Sequence, residues 1–399
     1  MSSITHSRRR FLRNAALASS VSVFPAHCLF AENADSRTAE IVRKTFGIDT
    51  HNHIDVPLTS AEMPGPAIDL SGELKRSGLA AICMTFATDY QPGDPYQCFK
   101  NGLTSMDRAL ELNHMKRALS AKDVRAAHEH GHPIVIQALE GSHFLEGHVE
   151  RVEEAYSRGL RVLGLLHDSD ASTPLGDVYT NPPRFGGLTT FGAEVVKRCN
   201  RLGILVDLAH ANTQTTEMAL KASTRPAVIS HTGPDWRLGE NPRMAQMMRP
   251  RLISKAQARL MADHGGLVGV WTHLADTPLA YAQNLRAMAD VIGVDHVCIG
   301  TDTKLTQPAP RGFGPPPGGG PGGQHHEGPP PQGGPEGNGF RPGQQHARVG
   351  ERTNEAWEGE TTGFYYTVVD AMLKTGFTPD EIAKIGGGNF LRVFSQAVS

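Results

Sequence analysis

The stretch GIDTHNHIDVP, residues 47–57, places polar side chains at every second position directly after an apolar lead-in. Successive side chains of a β-strand point to opposite faces, so His51, His53 and Asp55 would share one face at the end of a strand. Two imidazoles and a carboxylate gathered in this way indicate a metal site or acid–base chemistry. The rest of the chain decides which fold could present them.

Short apolar runs recur along the chain and alternate with segments of helical periodicity. Most runs are continuously apolar over four to six residues, as is typical of parallel strands buried on both faces. The eight runs cover residues 46–51, 79–88, 133–141, 160–168, 203–210, 226–233, 266–274 and 296–303. The helical stretches between them include Thr104–Ser120, Ala193–Arg201, Ser254–Asp263 and Ala280–Ile292. This order predicts an α/β fold, a (β/α)8 TIM-like barrel, with an open doubly wound sheet as the alternative.

Reactive side chains lie at or near the C-terminal ends of six of these runs, and barrel enzymes build their active sites from that rim. A Gly-rich loop of the G-x-G-x-x-G kind does not follow the first run, so a dinucleotide-binding fold gains no support. Both observations favour the barrel. The rim residues are His51 and His53, Glu140, His167, His210, His231 and Asp302.

Five of the rim residues form a set of the kind that binds zinc. As ordinary core residues, each of the five would need its own buried hydrogen-bond partner, because an unsatisfied buried polar group costs about 1–3 kcal/mol. Five such cases at successive strand ends are hard to explain without a shared ligand. Five ligands also exceed one catalytic zinc, which takes about three from the protein. A bridging Glu140 would divide them between two metal ions, with His51 and His53 on the first and His210 and His231 on the second.

Two metal ions at such a rim can hold a hydroxide between them and polarise a carbonyl oxygen. Asp302, after the eighth run, would then act as general acid and base for that water and the leaving amine. His167, after the fourth run, would donate a hydrogen bond to the developing oxyanion.

Composition and the N-terminus limit the classes of partner. The chain has 399 residues, 19 of them His, and a formal net charge of −2 with no broad basic run, which argues against nucleic acid as a partner. Residues 1–31 resemble a twin-arginine export signal, in which Arg8 and Arg9 precede Phe11 and Leu12. We therefore expect a periplasmic or secreted protein, with no transmembrane span in the mature chain.

Two further features concern the remainder of the chain, residues 40–399, which we interpret as one metallo-hydrolase barrel domain. Residues 307–350 are rich in Pro and Gly and cannot bury an apolar face, so we expect a disordered or polyproline insertion there. The five cysteines are scattered without a C-x-x-C pair. A disulfide such as Cys83–Cys98 is compatible with export, but spacing does not select it.

Several stretches together resemble the membrane (renal) dipeptidase family of zinc metallopeptidases, which belongs to the amidohydrolase-like barrels. The resemblance covers roughly residues 45–305 and 361–395, and no single stretch is specific alone. The stretches are DTHNHIDVP (49–57), ALEGSHFLEG (138–147), YSRGLRVLGLLHD (156–168), GLTTFGAEVVKRCNRLGILVDLAH (187–210), PAVISHTGP (226–234), RPRLISKAQARLMADHGGLVGV (249–270), GVDHVCIGTD (293–302) and DEIAKIGGGNFLRVF (380–394).

The resemblance implies a binuclear zinc site in which Glu140 bridges and His210 and His231 hold the second ion. It implies that His167 contacts the substrate and that Asp302 handles the proton. It also implies that Arg251 pairs with the free carboxylate of a dipeptide, a task that suits the planar guanidinium fork. A homodimer is expected on the same basis.

This chain departs from the family pattern in two places. The first-strand motif of the family usually reads His-x-Asp, whereas this chain has His51-x-His53, with Asp55 as the alternative second ligand. A neutral ligand in place of a carboxylate predicts weaker metal retention and a more acidic bridging water. The family commonly has Phe-Asp-Gly after the residue equivalent to Asp302, where this chain has residues 303–305, Thr-Lys-Leu.

The leading functional hypothesis is an exported metal-dependent dipeptidase. An N-acyl-amino-acid deacylase, or another amide or lactone hydrolase, would use the same ions and the same arginine. A binding protein that keeps the barrel without turnover is the alternative from a different class, since fold alone does not secure function. Asp302→Asn separates enzyme from binder, because only an enzyme loses rate while keeping its metal.

Overall fold

The computed structural model describes residues 35–307 and 351–398 of the chain. Its strands follow the apolar runs closely. They are β1 (Ile48–His53), β2 (Ala81–Thr85), β3 (Ile134–Leu139), β4 (Leu160–Gly164), β5 (Leu205–Asp207), β6 (Val228–Pro234), β7 (Leu252–Ile253), β8 (Leu267–Val270), β9 (Val297–Ile299) and β10 (Thr303–Lys304).

Eight of these strands form one closed parallel barrel. The order is β1-β2-β3-β4-β5-β6-β8-β9, and Asp49 of β1 pairs with Ile299 of β9 to close the ring. The short strands β7 and β10 lie outside the ring and pair in parallel with β6 and β1. The predicted (β/α)8 barrel is therefore confirmed, and closure rules out the open doubly wound sheet.

Helices follow the strands and cover the barrel. They are α1 (Ser36–Lys44), α2 (Leu70–Ser77), α3 (Pro95–Leu112), α4 (Ala121–Glu129), α5 (Arg151–Ser157), α6 (Thr190–Leu202), α7 (Thr213–Ala222), α8 (Pro242–Met248), α9 (Lys255–Asp263), α10 (Pro278–Ile292), α11 (Phe364–Lys374), α12 (Pro379–Ala383) and α13 (Asn389–Ala397). Short 3₁₀ turns cover His143–Leu145, Arg249–Arg251, Val294–His296 and Thr353–Glu355, and a π-helical turn covers Lys384–Gly388.

One predicted helix is wrong in its bounds. Instead of Thr104–Ser120, the helix is α3, which begins at Pro95 after the capping side chain of Asp94. Asp94 accepts a hydrogen bond from a backbone N–H of the first turn, and proline suits a first helical position because its missing N–H has no partner there. Ser120 instead caps the next helix, α4.

The strands are buried on both faces. Ile82 belongs to the larger core cluster, shared with the helices, whereas its neighbours Ala81 and Cys83 belong to a smaller cluster that Phe390 of α13 joins. This period-2 division explains why the runs read as continuously apolar rather than alternating.

The four described cysteines, Cys83, Cys98, Cys199 and Cys298, are free and buried. Cys83 and Cys98 belong to different core clusters, so the disulfide considered from the sequence does not form between them.

The predicted export signal at 1–31 and residues 308–350 of the Pro/Gly-rich insertion lie outside the described residues. The chain on either side of that second gap comes together, because the backbone N–H of Lys304 donates to the carbonyl oxygen of Glu351 at 2.9 Å. Among residues 35–307 and 351–398, no helix is long and apolar enough to cross a membrane.

Candidate metal centre

Five strand-end side chains converge on one point at the C-terminal rim of the barrel. His51 and His53 lie on β1, Glu140 directly follows β3, His210 comes three residues after β5, and His231 lies within β6. His51, Glu140, His210 and His231 are buried, and His53 is partly buried. Parallel strands bring their C-terminal ends to one rim, which is why positions far apart in sequence meet.

Glu140 lies at the centre of this cluster, and its two oxygens face different imidazoles. Oε1 lies 2.9 Å from Nε2 of His210 and 3.5 Å from Nε2 of both His51 and His231. Oε2 lies 3.4 Å from Nε2 of His53. One carboxylate therefore reaches all four histidines, as a bridging ligand must.

The donor set fits a metal ion better than it fits a self-contained hydrogen-bond network. Oε2 of Glu140 is buried and has no hydrogen-bond partner among the described residues. Nε2 of His51 faces Nε2 of His53 at 3.2 Å, and Nε2 of His210 faces Nε2 of His231 at 3.1 Å. Ring nitrogens that face one another beside a buried carboxylate oxygen without a donor bring several possible ligand atoms to one point, as in a site built for cations.

The geometry admits more than one division into ligand sets. The predicted first set, His51, His53 and Glu140, forms one group whose ligand atoms all lie within 4.8 Å of one another. Two other groups meet the same distance limit, Glu140 with His167 and His210, and His51 with His231 and Asp302. His167 and Asp302, predicted to be catalytic, are thus also close enough to ligate.

The electrostatics of the cluster keep its carboxylates ionised. Burial favours the neutral form of Glu140, but His167, His51 and His210 outweigh it and hold its pKa well below the usual range. Burial also opposes the charge of His210, yet its bonds to Asp168 and Glu140 raise its pKa to about 10. A buried carboxylate stays ionised only where positive charge lies close to it, and a site of this kind suits the binding of cations.

Two of the rim residues have a strained backbone. His210 has φ 67° and Asp302 has φ 56°, in the left-handed region that non-glycine residues rarely adopt. Such strain persists where surrounding contacts hold it, and it concentrates at functional sites. Here the N–H of Asp302 donates to the carbonyl oxygen of His51 at 3.1 Å, which ties the eighth barrel strand to the first.

His167 has a carboxylate partner that the sequence reading missed. Its Nδ1 lies 2.7 Å from Oδ1 of Asp89, and its Nε2 lies 3.3 Å from Oε2 of Glu140. Burial raises the pKa of Asp89, but the contacts with His167 outweigh it and lower that pKa overall. Asp89 follows the β2 run, so the strand-end rule that selected the other residues could have found it.

Asp302 also has an unpredicted partner. Its Oδ1 lies 3.3 Å from Nε2 of His53, and its Oδ2 lies 3.2 Å from Nε2 of His273. Burial favours neutral Asp302, but His231, His273 and His53 hold its pKa well below the usual range. His273 lies in the seventh apolar run, "GLVGVWTHL", near its C-terminal end, and the same strand-end signal marks it.

Arg251 reaches the rim from the short turn before β7, and its guanidinium is already paired. Its Nη2 donates to Oδ2 of Asp168 at 2.6 Å. Asp168 also accepts from the Tyr90 hydroxyl at 3.0 Å, and its Oδ1 lies 3.2 Å from Nδ1 of His210. Asp168, which the sequence reading left out, therefore connects the predicted carboxylate-binding arginine to a predicted metal ligand.

Asp55 does not join the cluster. Its Oδ2 accepts a hydrogen bond from Nζ of Lys304 at 2.8 Å, and both side chains are partly exposed. Lys304 is one of the residues by which this chain departs from the family pattern. Of the two alternatives on the first strand, His53 is the one that faces Glu140.

The barrel resembles solved hydrolase structures over most of its length. An amidohydrolase from Pseudomonas aeruginosa covers 90% of this chain and 98% of its own, at a TM-score of 0.66 and 21% identity. A metallopeptidase from Rhodobacter sphaeroides, solved with a phosphinate mimic of the dipeptide L-Ala-D-Ala, covers 88% of this chain and 99% of its own, at a TM-score of 0.59 and 17% identity. At these identities the likeness establishes the fold.

Sequence relatives extend the comparison. An uncharacterized protein from the pqqA 5′ region of Klebsiella pneumoniae is 24% identical over 227 residues, which are 53% of this chain and 80% of the relative. The model of the membrane dipeptidase family, Peptidase family M19, matches residues 36–315 and so spans most of the chain and every rim residue described above. The chain therefore belongs to the membrane dipeptidase family, a family of metal-dependent peptidases.

Proposed function

We propose that this protein hydrolyses the peptide bond of dipeptides, using two divalent metal ions, Zn²⁺ in the first place. The observation that carries the proposal is the position of Glu140, whose two oxygens face imidazoles on or after four other strands, β1, β4, β5 and β6. Family membership supports a peptidase, and the bound dipeptide mimic in the Rhodobacter sphaeroides relative supports a dipeptide substrate.

His51, His53 and Glu140 would hold the first ion, and Glu140, His210 and His231 the second. Imidazole and carboxylate ligands suit zinc. When bound, two such ions lower the pKa of a water molecule and polarise the scissile carbonyl. The protein supplies the shared anion and orients the four rings.

His167 would stabilise the oxyanion as a positively charged ring. Its Nδ1 is within hydrogen-bond distance of Asp89, at 2.7 Å, so an imidazolium can donate to that carboxylate and still carry a proton on Nε2. Nε2 points towards Glu140, where the substrate carbonyl would lie. A donor aimed at developing negative charge contributes to catalysis because it needs no reorganisation.

Asp302 would accept the proton of the attacking water and pass it to the leaving amine. Its two oxygens face opposite ways, one to His53 and one to His273, and its side chain is 23% exposed. This position lies between the cluster and solvent. Its histidine neighbours keep this carboxylate ionised, which is the form that a general base needs.

Arg251 would bind the C-terminal carboxylate of the substrate. Its side chain is 27% exposed, and only Nη2 bonds to Asp168, which leaves other N–H groups of the fork for a substrate. Asp168 orients the guanidinium and offsets part of its positive charge. The substrate carboxylate would therefore share Arg251 with Asp168, which limits binding to small molecules that reach both the arginine and Glu140.

A second candidate, an N-acyl-amino-acid deacylase, is favoured by a different observation. The rim carboxylates of Asp55, Asp89, Asp168 and Asp302 each contact a basic side chain already. A dipeptide brings a free α-ammonium group that needs an acceptor, whereas an N-acyl amino acid does not. The same ions and Arg251 would serve both substrates.

We further propose export by the twin-arginine route to the periplasm or beyond, and a homodimeric assembly. The first rests on the motif in residues 1–31, and the second on the resemblance to the family.

The test uses purified protein supplied with Zn²⁺ and a panel of L-L and L-D dipeptides beside matched N-acyl amino acids and dipeptide amides. Release of free amino acid from dipeptides, abolished by chelation, is the expected result. Dipeptide amides should react poorly, because they lack the carboxylate for Arg251. Cleavage of only the acylated compounds would show that the substrate is an N-acyl amino acid and would leave the proposed metal site unchanged. No cleavage of any compound by a chain that holds two ions would overturn the proposed reaction.

A further inference from the structure

Two of the proposed metal ligands share one buried hydroxyl group. Oγ of Ser230 lies 2.9 Å from Nδ1 of His231 and 3.2 Å from Nδ1 of His51. The rings of these two histidines are close, with centroids 3.9 Å apart. Ser230 is fully buried, so its hydroxyl is out of contact with bulk solvent. One oxygen thus contacts the far nitrogen of a ligand from each of the two proposed metal sites.

Asp207 completes this arrangement from β5. Its Oδ1 accepts the backbone N–H of Ser230 at 2.9 Å and that of Ala209 at 3.0 Å. The carboxyl group is buried and held in place by two backbone donors, so it offers the serine hydroxyl a fixed acceptor.

Counting protons shows what this arrangement does. A neutral histidine that binds a metal through Nε2 must carry its proton on Nδ1. Two such rings donate two hydrogen bonds to Oγ of Ser230, which uses both of its lone pairs. The hydroxyl proton then needs a third partner, and the buried carboxyl group of Asp207, which already accepts the backbone N–H of Ser230, would be that partner. If the hydroxyl instead donated to either ring, that ring would carry its proton on Nε2 and could not bind a metal there.

We propose that Asp207 and Ser230 form a positioning unit that sets the tautomer of His51 and His231 together, so that both present Nε2 lone pairs to the metal centre. This inference rests on the proposed function, since it takes both histidines as ligands. It adds that the two metal sites are coupled through one hydroxyl, and that neither Asp207 nor Ser230 touches the substrate.

The experiment measures metal affinity rather than activity. Chelator-treated wild type, Asp207→Asn and Ser230→Ala are titrated with Zn²⁺ against a chromophoric chelator. Asp207→Asn keeps the side-chain volume, but its amide oxygen would take the place of Oδ1 because two backbone N–H groups point there. The amide NH2 would then favour donation to Ser230 and turn the hydroxyl proton towards a ring. Both variants should bind both ions about 10–100-fold more weakly, the range for residues that orient metal ligands.

Thr50→Val is the matched control. Thr50 is buried in the same layer and donates to the carbonyl oxygens of Ser230 and Ile299 at 2.7 and 2.9 Å, but its hydroxyl bonds to neither imidazole. Its loss should change thermal stability and leave zinc affinity within about threefold of wild type, since it leaves the ligand tautomers alone. Weakening equal to that of Asp207→Asn would show a general packing effect and overturn the proposal.

The tautomers themselves provide a second readout. Ring ¹⁵N chemical shifts in histidine-labelled protein distinguish a proton on Nδ1 from one on Nε2. Zinc-loaded wild type should show Nδ1–H for both rings, and chelator-treated Asp207→Asn should show Nε2–H for one of them. Unchanged tautomers and affinities in both variants would overturn the positioning unit while wild type still binds zinc. A wild type that binds no zinc would instead overturn the proposed function. If Ser230→Ala fails to fold, Asp207→Asn carries the test.

Discussion

Two groups of carboxyl side chains on or after the barrel strands differ in their surroundings. The rim layer, Glu140, Asp168 and Asp302, contacts imidazoles or a guanidinium, and the pKa of each is lowered although burial opposes this. The strand layer, Asp49 and Asp207, accepts hydrogen bonds from backbone N–H groups and, at Asp49, also from a hydroxyl group, and burial raises the pKa of both. The same functional group thus supplies negative charge in one layer and fixed acceptors in the other.

This difference shows that the role of a carboxyl group depends on the groups it contacts and not on how deeply it is buried. Asp49 accepts from Thr301 through both its hydroxyl and its N–H, at 2.6 and 2.9 Å, and from Asn52 at 2.8 Å. These bonds hold β1 against the eighth barrel strand just below the histidines. The rim layer has fewer such donors and more basic side chains, so its charge remains available to cations.

Replacing Glu140 with Gln should have the largest effect in either layer. The neutral amide removes the anion that both ions would share, so binding at both sites should weaken by more than the ~10–100-fold seen when only a ligand's orientation is lost. Hydrolysis should disappear in parallel. Bound zinc per chain after dialysis is the measurement. A variant that keeps two ions at wild-type affinity would show that Glu140 is not a shared ligand.

Asp302→Asn should separate metal binding from proton transfer within the rim layer. We expect kcat to fall by about 10²–10⁴-fold, the usual contribution of general acid–base catalysis, with metal content unchanged. Steady-state kinetics and metal analysis on one preparation provide the test. Loss of an ion would instead make Asp302 a ligand, which its closeness to His51 and His231 permits. Full activity would remove it from the mechanism.

His53→Asp should strengthen metal binding at the rim layer, whereas Glu140→Gln weakens it. It adds a carboxylate beside Glu140 and restores the usual motif of the family. We expect metal retention to increase by about tenfold, and the acid limb of the pH–rate profile to move to higher pH as the bound water becomes less acidic. Off-rates of zinc to a chelator and the pH profile measure both effects. If neither changes, His53 is not a ligand.

Asp49→Asn tests the strand layer through the pH dependence of stability. Because the pKa of Asp49 is raised in the folded state, that state binds the proton more tightly than the unfolded chain. Stability from this group is therefore full at low pH and declines as pH rises through the folded-state pKa. The variant lacks this decline, so the free energy of unfolding of wild type should fall relative to that of the variant between pH 4 and 7.

The expected size is about 1.4 kcal/mol for each unit by which the pKa is raised. Urea unfolding at both pH values, with chelator present, isolates the effect from metal binding. A difference between wild type and variant that stays constant with pH would mean that Asp49 does not titrate in this range.

Asp55→Asn should have the smallest effect and serves as the reference for both layers. Its partner Lys304 is partly exposed, and such ion pairs contribute about 0–1 kcal/mol. Metal content and kcat should match wild type. Loss of an ion from this variant would restore Asp55 as the second ligand of the first strand, in place of His53.

Sequence patterns predicted much of the fold and of the candidate site. The eight apolar runs match the barrel strands because burial on both faces leaves a signal that needs no partner to recognise. The ends of those runs marked His51, Glu140 and Asp302, which lie together. The helix α3 was misplaced because the capping signal of Asp94 and Pro95 was not used, while a helical pattern was extended past its end.

The residues that were missed share one property. Asp168, Ser230 and His273 lie beside or within recognised runs, yet each acquires its role from a contact with a residue at least 20 positions away. Ser230 in particular reads as a small polar residue within a buried strand. Its place between His51 and His231 depends on how the first and sixth strands meet across the barrel.

The sequence by itself determined the order of strands and helices, because periodicity and strand-end chemistry are local properties of the chain. It also determined which side chains could serve as ligands, since residue type limits coordination. Only the tertiary structure decided that His53 rather than Asp55 faces Glu140, that Arg251 is shared with Asp168, and that one hydroxyl serves two histidines. Those outcomes depend on distances between strands, which closure of the barrel sets and no local pattern records.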